Sequence, residues 1–480
     1  MLSRGAVFSF LLVPIAILLH NYGTLKESIC HTFLGALCFA PQRAQQWSIL
    51  YHLGGNGPWI PRASAGRLSP LPMGCEVTQA HMLSRHAERY PTTNVGNRHL
   101  ALVAKLKSND IWLTGSLAFL NDWEYFTDQH NPDFEKLTTH GPYAGTLQAF
   151  KTGQMLRERY TKLVRTNDTT KFWTCSSKRD VETAQYFANG FFGDDWQETA
   201  AADMVVIPEA TDRGADTLTP GDTCKRYRED LVYGHDRGYT ELEAWQRSFT
   251  APISTRLKQD AGGLRLTHLE VYSMMEMCGF EILARGTSPW CNVFSNEEWL
   301  DFEYARDLLH YYRAGPGNDY ARVMGWLWLN ATTSLLVNDT VGGAYLSFVH
   351  DGDIVPLLST LEVFSERSHL PNHRRVDARN WKTSDITPMG GRLILEKVTC
   401  RDTGLGNNLQ RSYVRLFIND GIVDLEKSIV KGGLAYSIGM KQWAEMVAEK
   451  AKQYGNFNEV CGLPKDSPQS ISFLQPQYTY

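Results

Sequence analysis

With 480 residues, 43% of them hydrophobic, the chain is long enough for roughly two to three ordinary domains, or for one large domain carrying an insertion, and it has the apolar content for a sizeable core. Its 48 basic and 52 acidic residues leave a formal charge of −4 at pH 7, which argues against a general nucleic-acid or anionic-membrane binder. In acid the carboxylates titrate while the basic residues stay charged and 14 histidines join them, so the chain becomes a polycation that attracts anionic substrates.

Arg4 precedes an apolar run over 6–19, long enough for a signal-peptide core and short for a comfortable bilayer span. A second apolar patch, 30–40, ends in small residues at cleavage-like spacing, so 1–40 is a signal peptide or, if uncleaved, a signal anchor. Residues 41–73 include "GGNGPWIPRASAGRLSPLP", whose Gly, Pro and Ser content predicts an extended lead-in outside the core. The fold proper begins near Gly74. "CEVTQAHMLS" is strand-like, with Val77, Ala80 and Met82 as its apolar positions, and "VGNRHLALVAKL" is helix-like, with Leu100, Val103, Ala104 and Leu106 near one face. Between them the loop "SRHAERYP" crowds Arg85, His86 and Arg89 together. Like charges so placed need an anion among them, most simply a phosphate, and the amides opening the next helix favour the same ligand.

A second strand, "KFWTCSS", leads through a capping Ser176 or Ser177 into a helix with Val181, Ala184, Ala188 and Phe191 at helical spacing, and Arg179 stands at its start. Residues 195–335 change texture. Helical patterns such as "NEEWLDFEYARDLLHYYRAG", with Ala305, Leu308, Leu309 and Tyr312 on a face, dominate, which predicts an inserted all-helical subdomain. In "GGAYLSFVHDGDIVPLLSTLEVF" an apolar run ends at His350 and Asp351, Asp353 caps, and Pro356 suits an early helical turn. "RLILEKVTC" and "SYVRLFINDGIVDL" are strands, the second folded at Asn419, Asp420 and Gly421, and the tail after Cys461 is frayed. Three strand ends thus present charged groups. In open α/β sheets, ligands bind outside the carboxyl ends of strands, so these loops are expected to converge on one crevice.

The other cysteines and the sequons bear on compartment. Beyond Cys30 and Cys38, seven cysteines are scattered without Cys-x-x-Cys pairs or histidines at zinc-ligand spacing, which favours disulfides over metal. The odd count leaves at least one thiol over, and Cys278 and Cys291 alone are close enough to pair by spacing. Sequons at Asn167, Asn330 and Asn338 are surface glycosylation sites if the chain enters the secretory pathway.

Arg85, His86, Arg89 and Pro91 match the Arg-His-Gly-x-Arg-x-Pro signature of the histidine acid phosphatases, and the surrounding text is most similar to the fungal and yeast acid phosphatases and phytases. The resemblance runs from about Gly74 to Cys461 and includes "HGPYAGTLQAFKTGQMLRERY". It implies an α/β fold of the phosphoglycerate-mutase-like kind, a sheet flanked by helices, discontinuous over 74–194 and 336–465, with 195–335 as a helical cap and 466–480 as a tail. The family also has a late His-Asp pair. His350 and Asp351 end an apolar strand and fit it, whereas His235 and Asp236, in the polar "YGHDRGYT", leave His235 an ordinary surface histidine. A further phosphate-binding arginine opens a helix after the second strand in this family; Arg179 resembles it, with Lys178 as competitor. The family's bridging pattern pairs Cys75 with Cys400, Cys224 with Cys461 and Cys278 with Cys291, and leaves Cys175 free.

The implied chemistry follows from phosphate-ester cleavage. Arg85, Arg89, Arg179 and His350 neutralise the anion and its transition state, His86 attacks phosphorus to give a phosphohistidine, and Asp351 protonates the leaving alcohol and then assists water. No metal or cofactor is required. Substrates are small phosphomonoesters, with phytate among the candidates, and the expected location is secreted, toward the cell wall or periplasmic space; membrane contact arises only through an uncleaved N-terminus. A phytase proper is the runner-up among enzymes; Ala87 replaces the family's glycine, and a Cβ there puts activity in question, which keeps a non-catalytic cell-surface glycoprotein of the same fold as the alternative from another class. His81 and Glu88 are assigned no role.

Overall fold

The computed structural model describes residues 47–61, 71–108, 111–401, 410–425 and 434–479. The expected targeting segment 1–40 lies outside them, with Cys30 and Cys38. Residues Ile49–Tyr480 form one compact unit. Its frame is a sheet of β1 (Cys75–Arg85), β2 (Thr170–Cys175), β3 (Ala202–Ile207), β4 (Val341–Val349), β5 (Arg392–Arg401), β6 (Gln410–Ile418) and β7 (Gly421–Val423), in the order β3-β2-β4-β1-β5-β6-β7. Strands β3, β2, β4 and β1 pair in parallel; β5, β6 and β7 continue antiparallel. Every residue of the central strand β4 is buried, as expected of a parallel strand covered on both faces. The β6–β7 hairpin turns on Asn419 and Asp420, both at positive φ, the two-residue geometry that matches strand twist.

The longer helices are α1 (Thr93–Leu106), α2 (Gly145–Tyr160), α3 (Lys178–Phe192), α4 (Arg237–Asp260), α5 (His268–Arg285), α6 (Asn296–Arg313), α7 (Ala321–Leu336), α8 (Asp351–Leu361) and α9 (Met440–Tyr454). Helices α2 and α3 pack together, and α3 lies against β2 and β4. Thr267 and Ser295 cap α5 and α6 through reciprocal boxes with Glu270 and Glu298.

Four expectations need correction. β3 falls inside 195–335 and extends the sheet beside β2, so that stretch is not all helical; its "ADMVVI" is short and half-exposed at the sheet edge, which hides its pattern. α1 buries Gly96, His99, Leu102 and Leu106, not Leu100, Val103 and Ala104. An apolar count misses this face because a glycine and a histidine make it: Phe134 would lie 2.3 Å from a Cβ on Gly96, and His99 sits 3.7 Å from the buried Glu276. The lead-in is not outside the core, since residues 53–58 are buried. Nor is the tail frayed: Tyr478 is 6% exposed, pairs with Gly342 of β4 and places its hydroxyl 2.6 Å from Thr170 Oγ1.

Disulfides join Cys75 to Cys400, Cys224 to Cys461 and Cys278 to Cys291, and Cys175 is a buried free thiol. Asn167 and Asn338 are exposed, whereas Asn330 is half-buried within α7 and Thr332 of its sequon is fully buried. No helix of the described residues is long and apolar enough to cross a membrane.

Candidate active site

The carboxyl ends of β1 and β4 lie side by side, Arg85 opposite Val349, and β2 adjoins β4 on its other edge. The three loops that follow therefore meet at one place. Where β1 ends, the His86 N–H donates to Val349 O at 3.0 Å and the Gly390 N–H donates to His86 O at 2.8 Å, which pins the histidine between two neighbouring elements. The Ala87 N–H donates to Thr183 Oγ1 of α3 at 2.9 Å. Ala87 is not among the residues at positive φ, and its side chain packs with Leu137 and Ala149, so the backbone here does not need the family's glycine.

His86 Nδ1 lies 2.9 Å from Ala87 O, so that nitrogen carries the proton and Nε2 keeps its lone pair. Nε2 is 3.4 Å from Arg89 Nε. Arg85 is held rigidly: Nη1 donates to both Gly55 O and Thr387 O at 2.6 Å, and Nη2 is 2.9 Å from Asp351 Oδ2. Arg89 Nη1 donates to Tyr90 O at 2.8 Å. From the second loop, Arg179 Nη2 approaches His350 Nδ1 at 3.3 Å, while Lys178 is exposed. From the third, the His350 N–H donates to Asp353 Oδ2 at 3.1 Å, the expected cap, and the His350 ring lies 6.1 Å from that of His86. His350 Nδ1 is also 3.0 Å from Asp180 Oδ2.

These positions set the protonation states. Burial, then the charges of Arg85, Arg89, Arg179 and His350, hold His86 well below the usual histidine range. Burial also works against the charged form of His350, but the Asp180 carboxylate overrides it and holds that imidazole well above its ordinary value. Two histidines a few ångströms apart are thereby driven to opposite states, one neutral and one cationic. For Asp351, burial favours protonation, yet Arg85, His310 and Arg313 keep the carboxyl well below its ordinary value.

The site opens into a cavity of about 770 Å³ lined by seven arginines and four histidines against three carboxylates, Glu243, Glu276 and Asp351. The six expected residues, His86, Asp351, Arg85, Arg89, Arg179 and His350, all line it. Several others were not expected. Arg306, His310 and Arg313 come from α6, and their i, i+4, i+7 spacing in the sequence is a stripe of basic residue types that was legible beside the apolar face, although burial pushes His310 down to about 3 and leaves the two arginines as its charges. Asn56 and the Gly55 carbonyl come from the lead-in. Gly54 takes φ +58 under the Arg306 side chain, so the glycines let this turn wedge beneath the arginines. His235 differs from expectation as well: it is half-buried, accepts from Arg313 Nε at 3.2 Å, and with His350 lines a smaller neighbouring cavity of about 210 Å³. His81 and Glu88 stay outside the large cavity; His81 stacks on Tyr345, and Glu88, pushed up to about 7 by burial, accepts the Trp59 N–H at 3.0 Å.

Residues 76–419 match the family model of the histidine phosphatase superfamily, branch 2. The chain is 34% identical to a phytase of Candida albicans over 439 residues, covering 90% of this chain and 91% of that one. It is 34% identical to an acid phosphatase of Komagataella pastoris over 448 residues, with 90% and 91% covered. Among solved structures, the phytase from D. castellii superposes with a TM-score of 0.81 at 33% identity, covering 92% of this chain and 94% of that one. Family model, relatives and fold agree, and the chain belongs to the histidine phosphatase superfamily, branch 2.

Proposed function

We propose that the chain is a secreted acid phosphatase that cleaves phosphomonoesters through a phosphohistidine on His86. The observation that carries this reading is the pairing of a neutral His86, its Nε2 unprotonated and accepting a long 3.4 Å hydrogen bond from Arg89 Nε, with a protonated His350 in a cradle of three arginines. Arg85, Arg89, Arg179 and His350 bind the phosphoryl oxygens and stabilise the charge spread over them in the transition state. His86 Nε2 attacks phosphorus in line, the P–O bond to the leaving group breaks, and Asp351 gives its proton to that oxygen. In the second half Asp351 takes a proton from water, the hydroxyl oxygen bonds to phosphorus, and the P–N bond breaks to release phosphate.

Asp351 is ionised in the free site because Arg85 faces it at 2.9 Å. A bound phosphate dianion draws on Arg85 and adds negative charge beside the carboxyl, and both effects raise its affinity for a proton. The general acid is thus armed by its substrate. The same cavity, with arginines well beyond the three at the reacting phosphate, supports inositol polyphosphates as substrates, and the phytases of Candida albicans and D. castellii point the same way. The three disulfides support an extracellular location, with glycans on the exposed Asn167 and Asn338.

Hydrolysis of p-nitrophenyl phosphate and of phytate across acid to neutral pH tests the proposal. An acid maximum that chelator does not lower is expected; absence of hydrolysis of both esters over the whole range contradicts it.

A further inference from the structure

Three of the parallel strands, β1, β2 and β4, end in loops that line the large cavity, whereas the chain leaving the fourth, β3, does not line it. β3 stops at Pro208, which has no N–H to extend the ladder, and Glu209 follows at once. Ile207 pairs with Cys175 at the end of β2, so Glu209 emerges beside the loop that carries Arg179. It is tied to that loop three times: the Ser177 N–H donates to Oε1 at 2.6 Å, the Ser177 hydroxyl donates to Oε2 at 3.1 Å, and the Glu209 N–H donates to Ser176 Oγ at 3.0 Å. Ser177 immediately precedes α3, whose second residue is Arg179. The same Oε2 lies 3.5 Å from His350 Nε2, at the end of β4.

We propose that Glu209 is a positioning residue for phosphate binding: one carboxylate fastens both the turn that presents Arg179 and the Nε2 edge of His350, so that two anion-binding side chains from separate strand ends are held as a single unit. The inference rests on the phosphate-binding roles proposed for Arg179 and His350. With Nε2 held from this side, the opposite edge of the ring faces Arg179, whose Nη2 stands 3.3 Å from Nδ1. Arg179 and, across the smaller cavity, Arg228 and Arg313 oppose a positive charge on His350, as do His86 and His235 where protonated. Asp180, Asp222 and, on its own helix, Asp351 and Asp353 favour that charge together with Glu209. Cys175 Sγ is 3.7 Å from Nε2, but burial pushes the thiol well up, so the negative charge at that edge is supplied by Glu209. Burial works against the ionised form of Glu209 too; His350 and Ser177 outweigh it and hold the carboxyl down to about 2, so the clasp persists in acid.

The test compares wild type, Glu209→Gln and Ser177→Ala as purified full chains. Glutamine keeps an oxygen for the Ser177 N–H and removes the charge, while Ser177→Ala keeps the charge and removes one tie. Binding of inorganic phosphate is read by calorimetry in acid and above the alkaline limb, and the kcat/KM profile on p-nitrophenyl phosphate is read across pH. Loss of an opposite charge this close lowers a histidine pKa, so the alkaline limb of Glu209→Gln should move toward acid by about one unit. Above the limb that shift cuts the protonated fraction of His350, and with it phosphate affinity, by about tenfold. In acid, where the ring is charged in both proteins, a remaining loss of about threefold reports the misplaced Arg179 and His350. Ser177→Ala should share the loss in acid and keep the wild-type limb. A residue that only stabilises the fold would lower the urea midpoint and move neither readout. An unmoved limb with phosphate affinity within about twofold of wild type in Glu209→Gln, or an equal limb shift in Ser177→Ala, would overturn the proposal. A protein whose phosphate affinity depends on Glu209 but which hydrolyses no ester would leave the positioning role standing and fault the phosphatase reading instead.

Discussion

Restoring the family's glycine by Ala87→Gly separates two accounts of that position. If the Cβ obstructed the loop that carries His86, its removal would release activity. The structure argues otherwise: the residue is 2% exposed, is absent from the positive-φ positions, does not line the large cavity, and packs with Leu137 and Ala149. Removing the methyl gives up about 0.8 kcal/mol of burial. The freer unfolded chain adds about 0.4–1 kcal/mol. Urea unfolding should therefore show a loss of about 1–2 kcal/mol. The value of kcat/KM on p-nitrophenyl phosphate should stay within about threefold of wild type, because the His86 contacts to Val349 and Gly390 are untouched. A rise of about tenfold or more, equivalent to about 1.4 kcal/mol of transition-state stabilisation, would refute the reasoning and show that Ala87 limits the chemistry.

Asp351→Asn should lower kcat by about 10²–10⁴-fold on alkyl phosphates and much less on p-nitrophenyl phosphate, whose leaving group needs little protonation; equal losses would remove Asp351 from the acid role. Asp180→Asn takes away the carboxylate that raises the His350 pKa, so the imidazolium is lost at lower pH, and the alkaline limb of the kcat/KM profile should move toward acid by about one unit or more. An unmoved limb would show that His350 does not govern it. Gly54→Ala forces an L residue to φ +58 and sets its Cβ 2.5 Å from Arg306 Cβ, so it should cost at least about 1–3 kcal/mol in urea unfolding and lower kcat/KM by shifting the Gly55 carbonyl that holds Arg85. Wild-type stability in that variant would mean the turn is not wedged as described.

Much of the site was legible because its groups sit in short, punctuated text. Arg85, His86 and Arg89 crowd one loop, and His350 and Asp351 end an apolar strand, so strand-end logic alone brings them together. What stayed hidden depends on tertiary context. β3 is too short and too exposed at its edge to carry a pattern, and only its pairing with β2 makes it a strand. The lead-in looked like a linker because glycine and proline carry no apolar signal, yet those glycines are what allow the turn to reach Arg85 and Arg306. The buried face of α1 includes Gly96 and His99, residues that hydropathy scores as exposed, and a buried Glu276 beside Arg98 makes the histidine tolerable there. Arg306, His310 and Arg313 were readable as a stripe but had no strand end to point to them.

The central claim is that His86 carries the phosphoryl group. Its most direct test is to mix the protein with a phosphate-labelled phosphomonoester in acid, quench during turnover, and ask whether label stays on the chain in an acid-labile, base-stable bond. The account predicts such a bond in wild type and none in His86→Ala. Turnover by wild type with no trapped label, even when the second step is slowed by Asp351→Asn, or equal labelling of His86→Ala, would contradict it.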